Sequence, residues 1–247
     1  MNKIAIIIPS RLKAKRLENK PLKLINNKEM ILHVYEAAIK SRVGEVYVAS
    51  PDLKIINVIK KFGGNAIQTS ENHETGTDRI FEVFNKILKS KPKIIINLQG
   101  DMPNIEPQAI SNLVSYMNKG KCDIGTLASD FNSRNEIDDP NAVKVAVKEK
   151  FLKNTFLNAC DFFRTSTNST YNLYHHIGIY AFTNEALLRY VSLKRSKLEL
   201  ERKLEQLRAL ENNMSIHVGY IKSSPLSVDT EEDLTEVKNL MEKNEQN

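Results

Sequence analysis

The first apolar run of the sequence is followed by ten residues, Arg11 to Lys20, that contain five cations, one acid and no glycine. Guanidinium groups can bind two phosphate oxygens at once, and a lysine ammonium acts as a mobile positive charge. The glycine-rich motifs of dinucleotide-binding folds and P-loops, GxGxxG and GxxxxGK followed by Ser or Thr, do not occur in the sequence. We therefore predict that Arg11, Arg16 and Lys20 bind a phosphate-rich ligand. The alternative is a solvated basic loop.

A second candidate for chemistry is Asp101, which follows the apolar run Ile94–Leu98 after only Gln99 and Gly100. A carboxylate directly after a buried strand, beside a glycine that permits a tight turn, can hold Mg²⁺ together with substrate phosphates. The alternative is that Asp101 caps a helix that begins near Glu106. The basic loop and this acid together indicate a triphosphate bound with a metal ion.

Alternating strands and helices are predicted to position these residues. Apolar runs indicate strands at Ile4–Ile8, Glu45–Ala49, Ile94–Leu98, Val143–Val147, His176–Phe182 and Ile216–Ile221. Apolar spacing and end signals predict helices at Met30–Lys40, Leu53–Phe62, Asp78–Leu88, Leu198–Glu211 and Ser227–Glu242, the last with a capping box at Thr230 and Asp233. Residues 132–140 and 165–173 and the tail after Met241 are predicted to be irregular.

This order of elements predicts an α/β fold with a mostly parallel sheet and helices on both faces. In such sheets, ligands bind beyond the carboxyl ends of the strands. Residues 9–20 and 99–104 are therefore expected at one edge of the sheet.

The composition predicts a cytoplasmic globular protein. A length of 247 residues suits a single α/β domain, and 41% hydrophobic and 27% charged residues are ordinary values. Apolar runs of five or six residues are too short to span a membrane, and we expect no signal peptide. Cys122 and Cys160 lack metal-binding spacing, which favours a reducing compartment. The charge of +6 comes from scattered lysines, so we predict no nucleic-acid partner.

Seven motifs, in this order and at these intervals, resemble those of one enzyme family. They are PSRLKAKRLENKPL at 9–22, HETGTDR at 73–79, NLQGDMP at 97–103, DPNAVKV at 139–145, HIGIY at 176–180, LEQLR at 204–208 and SVDTEEDL at 227–234. The family is that of the sugar-nucleotide cytidylyltransferases, and the set is most similar to the enzymes specific for 3-deoxy-manno-octulosonate (Kdo). The resemblance extends from Ile4 to about Met241 and implies a Rossmann-like nucleotidyltransferase sheet of the GT-A type.

The resemblance also implies roles for individual residues. The implied catalytic residues are Arg11, Arg16, Lys20, Asp101 and Asp229. The implied nucleotide-binding residues are Arg11, Arg16, Lys20, Thr77, Arg79, Gln99 and Asp101. Asp101 and Asp229 are the implied Mg²⁺ ligands, and only the resemblance brings them together. The implied sugar-binding residues are Lys144, Arg164, His176, Tyr180, Glu205 and Gln206. The whole chain, 1–247, would form one domain, in which roughly residues 132–220 supply a small subdomain for sugar binding and dimer contact.

Two of the implied sugar-binding residues have structural alternatives. On one continuous helix from Leu198 to Glu211, Glu205 would point about 100° away from Leu204. It would then be a solvated acid near Arg208, three residues further along. The alternative for Tyr180 is a core aromatic of its strand.

The sequence departs from the family pattern at several positions. Ala14 and Glu18 stand where the family has a serine and a proline, and Met102 replaces an acid next to Asp101. The stretch 164–173 lacks the isoleucine and the proline of the family, which leaves its sugar and dimer contacts open.

The implied activity is the transfer of CMP from CTP to the anomeric hydroxyl of Kdo, with release of pyrophosphate, for lipopolysaccharide biosynthesis. The implied cofactor is Mg²⁺, and the implied assembly is a homodimer without a membrane partner. One alternative is a cytidylyltransferase for another acidic sugar, such as an acylneuraminate. A second alternative is a nucleotide- or nucleic-acid-binding protein without catalysis, which would need neither Asp101 nor Asp229.

Overall fold

The computed structural model describes residues 4–13, 16–86, 88, 91–133, 135–152, 155–165 and 170–245. The chain divides into two compact units. The first unit comprises Met1–Pro92, Ile96–Ser111 and Pro225–Asn247, and the second comprises Lys93–Ile95 and Asn112–Ser224. The expectation of one domain with a subregion at 132–220 stays a prediction.

Strands and helices alternate along most of the chain. The strands are β1 (Ile4–Pro9), β2 (Leu24–Ile25), β3 (Lys28–Glu29), β4 (Glu45–Ser50), β5 (Asn65–Gln68), β6 (Ile94–Leu98), β7 (Ile124–Ser129), β8 (Lys144–Val147), β9 (Phe156–Phe163), β10 (Asn172–Thr183) and β11 (Ile216–Tyr220). The helices are α1 (Met30–Lys40), α2 (Leu53–Lys61), α3 (Gly76–Lys86), α4 (Pro107–Met117), α5 (Asn135–Asp138), α6 (Asn184–Ser192), α7 (Lys197–Arg202), α8 (Gln206–Glu211) and α9 (Glu231–Glu245), and Lys20–Leu22 forms a short 3₁₀ turn.

The first unit contains the strand order β5-β4-β1-β6, with β6 represented by its last three residues, Ile96 to Leu98. β4 pairs in parallel with β1 on one side and with β5 on the other. Three consecutive isoleucines of β1, Ile6, Ile7 and Ile8, are fully buried, and so is every residue of β6. Apolar side chains on both faces of a strand indicate a sheet covered on both sides, as parallel sheets are.

Gly100 shows that the ends of β1 and β6 lie together in this unit. A Cβ atom at Gly100 would lie 3.3 Å from the carbonyl oxygen of Pro9 and 3.1 Å from the side chain of Ile31. These contacts are tighter than most side chains tolerate, so glycine lets the chain leave β6 directly against the end of β1. The loops after both strands therefore begin at one place, as the sequence predicted.

The second unit contains the strand order β10-β7-β11-β9-β8, and β10 also pairs with β8. This second pairing closes the order into a ring. β11 is parallel to β7, whereas the pairs β10–β7, β10–β8, β11–β9 and β8–β9 are antiparallel. The α/β class is thus confirmed. The predicted parallel pairing describes the first unit, and the second unit adds antiparallel strands that the sequence patterns did not reveal.

The predicted helix Leu198–Glu211 is wrong, because the chain forms two helices there. Lys203 ends α7 with a φ of 55°, in the left-handed region, and α8 begins at Gln206. Ser196 and Glu199 form a capping box at the start of α7. The prediction that Glu205 points about 100° away from Leu204 assumed one continuous helix, and it therefore does not apply.

Other boundaries also differ from the predictions. The capping box of α9 is confirmed, since the N–H of Asp233 donates to the Thr230 hydroxyl at 3.2 Å and the N–H of Thr230 donates to the Asp233 carboxylate at 2.9 Å. α9 runs to Glu245, so the tail that we expected after Met241 is helical up to that residue. The stretch 132–140 contains the short helix α5, and β10 begins within 165–173. Predictions for Ala14, Ile87 and residues 166–169 lie outside the described residues.

Candidate active site

Lys20 joins two carboxylates that are far apart in the sequence. Its Nζ atom donates to Asp101 Oδ2 at 3.0 Å and to Asp229 Oδ1 at 2.9 Å. The backbone holds the same arrangement, because the N–H of Val228 donates to the carbonyl of Asp101 at 2.9 Å. The side chain of Asn104 accepts from the N–H of Leu226 at 2.9 Å. The segment before α9 is therefore fixed beside the loop after β6.

Arg16 adds a second cation to this cluster. Its Nη2 atom lies 2.7 Å from Asp229 Oδ2, so Asp229 binds Arg16 with one oxygen and Lys20 with the other. Burial alone would lower the pKa of Lys20, but the charges of Asp101 and Asp229 and their hydrogen bonds outweigh it and raise the pKa above its ordinary value. Lys20 is therefore a fixed positive charge at neutral pH.

The start of the basic loop is held by its backbone. The N–H of Leu12 donates to the carboxylate of Asp52 at 2.8 Å, while the Arg11 side chain is exposed. Burial lowers the pKa of Arg79, and the charge of Arg11 lowers it further, so the two guanidinium groups are close enough to repel each other. Such a pair favours an anion next to it.

Arg79 is 3% exposed and lies on α3. Its Nη1 atom donates to the Thr69 hydroxyl at 2.5 Å and to the carbonyl of Ser70 at 2.8 Å. The guanidinium is thus fixed by two neutral oxygens, and the carboxylates of Glu82 and Asp52 act on its charge only as weaker influences than burial and Arg11. Arg79 therefore places a fixed guanidinium in the first turns of α3, where Asp78 also lies.

A chain of amide and hydroxyl groups links α3 to β6. The side chain of Asn97 donates to the Thr77 hydroxyl at 3.3 Å and accepts from Gln99 Nε2 at 3.2 Å. A Cβ at Gly76 would lie 3.4 Å from Pro9, which brings the start of α3 to the end of β1. The sequence reasoning missed Asn97, although it belongs to the quoted NLQGDMP motif.

The two carboxylates have the chemistry that Mg²⁺ requires. Asp101 and Asp229 keep 26% and 39% of their side chains exposed, and both already bind one shared cation. Mg²⁺ is commonly held by one or two carboxylates plus substrate phosphates, so these residues fit the ion. Among the described residues, no group of three or more His, Cys, Asp or Glu side chains forms a larger metal site. The alternative in which Asp101 caps a helix has no support, because its carboxylate binds Lys20 and α4 begins only at Pro107.

In the second unit, His176 and Tyr180 lie on β10. His176 is buried, its Nε2 atom lies 2.9 Å from the Thr126 hydroxyl, and burial lowers its pKa to about 3. The imidazole is therefore neutral. The two rings are 5.5 Å apart. Burial, followed by the charge of Glu205, raises the pKa of Tyr180 well above its ordinary value, which shows that Glu205 lies near the phenol.

The remaining predicted sugar-binding residues behave differently from one another. Glu205 is half-buried at the N-cap of α8, and Gln206 is buried. The Arg164 guanidinium donates to the carbonyl of Pro140 at 3.0 Å. Sequence reasoning missed the buried ion pair between Glu199 and Arg208, because Arg208 had been matched only with Glu205.

The geometry does not support a direct sugar contact by Lys144. Lys144 is fully buried, and its ammonium donates to the carbonyls of Asp139, Ala142 and Arg164 at 2.5, 2.7 and 2.8 Å. An ammonium has three N–H donors, and all three are used. Lys144 therefore fastens the DPNA stretch of its motif to the end of β9.

No helix among the described residues has the length and apolar character to cross a membrane.

Both cysteines are free thiols, with Cys122 buried and Cys160 half-buried.

The chain is similar to known proteins along nearly its whole length. The sequence model of the family described as Cytidylyltransferase matches residues 5–216. The 3-deoxy-manno-octulosonate cytidylyltransferase of Bartonella tribocorum is 41% identical over 240 residues, which are 96% of this chain and 97% of that protein. The protein of the same name from Bartonella quintana is 42% identical over 238 residues, again 96% and 97% of the two chains.

A solved structure gives the same result. It is a CMP:2-keto-3-deoxy-manno-octonic acid synthetase complexed with CTP, and it is 35% identical to this chain with a TM-score of 0.88. The superposition covers 98% of this chain and 99% of that one. The resemblance inferred from the seven motifs is confirmed, and the chain belongs to the cytidylyltransferase family that includes these 3-deoxy-manno-octulosonate cytidylyltransferases.

Proposed function

We propose that the protein transfers the cytidylyl group of CTP to the anomeric hydroxyl of Kdo, which gives CMP-Kdo and pyrophosphate. The observation that carries this proposal is the convergence of Lys20 and Arg16 on Asp101 and Asp229, beside the ends of two buried strands. Cations for a triphosphate and carboxylates for a metal ion meet there within one unit. A protein that only binds nucleotides would need the cations but not the two acids.

The cations act on the triphosphate. Arg11, Arg16 and Lys20 follow β1 in sequence, and the first two are exposed to an incoming ligand. When the anomeric oxygen of Kdo bonds to the α-phosphorus, the bond from that phosphorus to the oxygen of the β-phosphate breaks, and the hydroxyl proton passes to solvent. Positive side chains beside the departing pyrophosphate neutralise the charge that develops on it.

Asp101 and Asp229 would hold Mg²⁺. When bound, the ion supplies positive charge that polarises the α-phosphate and lowers the pKa of the sugar hydroxyl. Lys20 and Arg16 neutralise the carboxylates in the structure described here, so both would change partners from carboxylate to phosphate when nucleotide and metal bind.

The amide and hydroxyl chain at the start of α3 suits recognition of the nucleotide. Thr77 and Gln99 meet through Asn97, and the buried Arg79 provides a fixed positive charge on the same helix. We assign Thr77, Arg79 and Gln99 to nucleotide binding, with Asn97 holding the side chains of Thr77 and Gln99 in place.

The second unit would bind the sugar acid. Kdo has a carboxylate and several hydroxyls, so a guanidinium and hydrogen-bonding side chains are the appropriate partners. Arg164 suits the carboxylate, and His176, Tyr180, Glu205 and Gln206 suit the hydroxyls. Lys144 would act indirectly, by holding the backbone of Arg164.

Assembly and location follow from the same proposal. We infer a homodimer formed through the second unit, where Leu152 and Tyr171 are 71% and 42% exposed. Light scattering of the purified protein tests this, and a monomeric mass would refute it. We also infer a cytoplasmic enzyme, since its two cysteines are free thiols and its product would supply lipopolysaccharide biosynthesis.

A pyrophosphate-release assay tests the function. CTP should be used in preference to ATP and GTP, and Kdo in preference to N-acetylneuraminate, with the 8-amino analogue of Kdo as a third acceptor. Equal turnover with a purine triphosphate would refute the nucleotide assignment. A preference for N-acetylneuraminate would replace the acceptor and leave the cytidylyl transfer intact.

A further inference from the structure

A buried ion pair lies beside the turn that carries Glu205. Glu199 is fully buried, and its two carboxylate oxygens accept from Arg208 Nε at 2.8 Å and Nη2 at 2.6 Å. Arg195 Nε and the N–H of Ser196 donate to the same carboxylate at 3.0 and 3.1 Å. A buried charge needs this many partners because an unpaired one is strongly destabilising. None of the roles proposed above uses this ion pair.

The ion pair continues into an aromatic ring. The Arg208 guanidinium lies over the ring of Tyr190, 4.6 Å from its centroid, and both residues are buried. The Tyr190 hydroxyl donates to the backbone carbonyl of Glu205 at 2.9 Å. An unbroken set of contacts thus runs from the Glu199 carboxylate through two side chains to the backbone of a predicted sugar-binding residue.

The same residues fix the chain on both sides of that carbonyl. The carbonyl of Glu199 accepts from the N–H of Leu204 at 3.3 Å, and the carbonyl of Glu205 accepts from the N–H of Arg208 at 3.1 Å. Lys203, between them, holds the left-handed conformation that separates α7 from α8. The turn thus has backbone hydrogen bonds of its own, and the Tyr190 hydroxyl adds a side-chain contact to the carbonyl of Glu205.

We propose that Glu199, Arg208 and Tyr190 are positioning residues for the sugar acid. They do not touch the substrate; they set the backbone from which Glu205 and Gln206 project. This inference rests on the proposed function, because it takes Glu205 and Gln206 as sugar ligands.

Tyr190→Phe isolates the link to Glu205. Phenylalanine keeps a ring beneath Arg208 and removes only the hydroxyl that binds the Glu205 carbonyl. Loss of one such hydrogen bond should raise the KM for Kdo about fivefold, with the KM for CTP unchanged. Tyr220→Phe is the matched control, because its hydroxyl donates to exposed Asp130 at 2.7 Å. The control should leave both KM values unchanged.

Glu199→Gln tests the origin of the same network. It keeps the shape of the side chain but leaves the Arg208 charge buried without its partner, so the KM for Kdo should rise further and the melting temperature should fall. If Glu199→Gln does not fold, the kinetics of Tyr190→Phe alone test whether these residues position the sugar acid. Two results for Tyr190→Phe would overturn the inference. One is an equal change in the KM for Kdo and the KM for CTP, and the other is a KM for Kdo that does not differ from that of Tyr220→Phe.

Amide hydrogen exchange separates this inference from the proposed function. Exchange at residues 204–207 should be faster in Tyr190→Phe than in the wild type and normal in Tyr220→Phe. If the wild type does not use Kdo, the proposed function fails, and faster exchange would still support a positioning role for these residues in that turn. Unchanged exchange would overturn it in either case.

Discussion

Replacing Lys20 with methionine would remove an ammonium that two carboxylates share. Methionine nearly preserves the length and the apolar contacts of lysine, whereas Asp101 and Asp229 lose a cation at 3.0 and 2.9 Å. A pair of unit charges 3 Å apart interacts by about 1.4 kcal/mol in bulk water and more where water is partly excluded. Because both carboxylates keep some exposure, we reduce the combined loss to ~1–3 kcal/mol of the free energy of unfolding. In a chain of this size, the melting temperature should therefore fall by roughly 3–10 °C.

Mg²⁺ should reverse this loss. In the wild type the ion must compete with Lys20 for Asp101 and Asp229, and in Lys20→Met it need not. A ligand at 100 times its dissociation constant stabilises the folded state by about 2.7 kcal/mol. Thermal unfolding without nucleotide should therefore show a larger rise on addition of Mg²⁺ in the variant than in the wild type. Titration with Mn²⁺, followed by electron paramagnetic resonance, should show tighter binding to the variant.

Lys23→Met is the matched control for this experiment. Lys23 binds Glu231 at 2.6 Å, and because their side chains are 35% and 61% exposed, the pair should contribute only about 0–1 kcal/mol. Its response to Mg²⁺ should equal that of the wild type. If Lys20→Met melts like the wild type and responds to Mg²⁺ no more strongly, the reasoning that Lys20 neutralises a metal site is refuted.

Three further predictions concern the same chemistry and the core of the second unit. Arg16→Ala should lower kcat/KM by about 30- to 1000-fold through loss of a charge at the phosphates, and Arg16→Lys should restore part of the lost activity. Lys13→Ala, at an exposed position, should change kcat/KM little, so similar losses in both alanine variants would indicate a general field effect or a solvated loop. Asp101→Asn keeps the shape but removes an anionic ligand, so turnover should collapse while circular dichroism stays normal, and near-normal turnover at limiting Mg²⁺ would contradict the metal role. The pKa of His176 is about 3 in the folded protein and near 6.5 in the unfolded chain, so between pH 3 and pH 6.5 the unfolded chain binds more protons. The free energy of unfolding should therefore fall as the pH drops below about 6.5. Chemical denaturation of His176→Gln should show a shallower loss over this range, and equal slopes would refute a buried neutral imidazole.

The sequence patterns predict the first unit well because its elements are regular. The continuous apolar run of β1 and the helical spacing of α1 need no long-range information, and the predicted bounds of α1 agree with the structure. Asp101 could be placed at the end of a buried strand for the same reason. Its meeting with Asp229 could be predicted only through the family resemblance, since no local pattern encodes a contact between distant residues.

The second unit was harder to predict, again for physical reasons. A helical pattern of leucines runs through residues 198–211, but the left-handed Lys203 and the capping box at Ser196 divide it. Periodicity does not report such a break when no glycine or proline marks it. The three carbonyls around Lys144 are likewise invisible in sequence, because backbone groups of any residue type can supply them.

The closed strand order of the second unit has a consequence for self-association. Each of its five strands, β7 to β11, has two hydrogen-bonded neighbours within the unit. Strand edges with unpaired N–H and C=O groups are the usual template for recruiting another chain, and closure of a sheet removes them. Where these strands are paired on both sides, a second copy cannot join by extending the sheet. A dimer that covered those positions would use side-chain packing, and point substitutions at exposed Leu152 or Tyr171 would then weaken it.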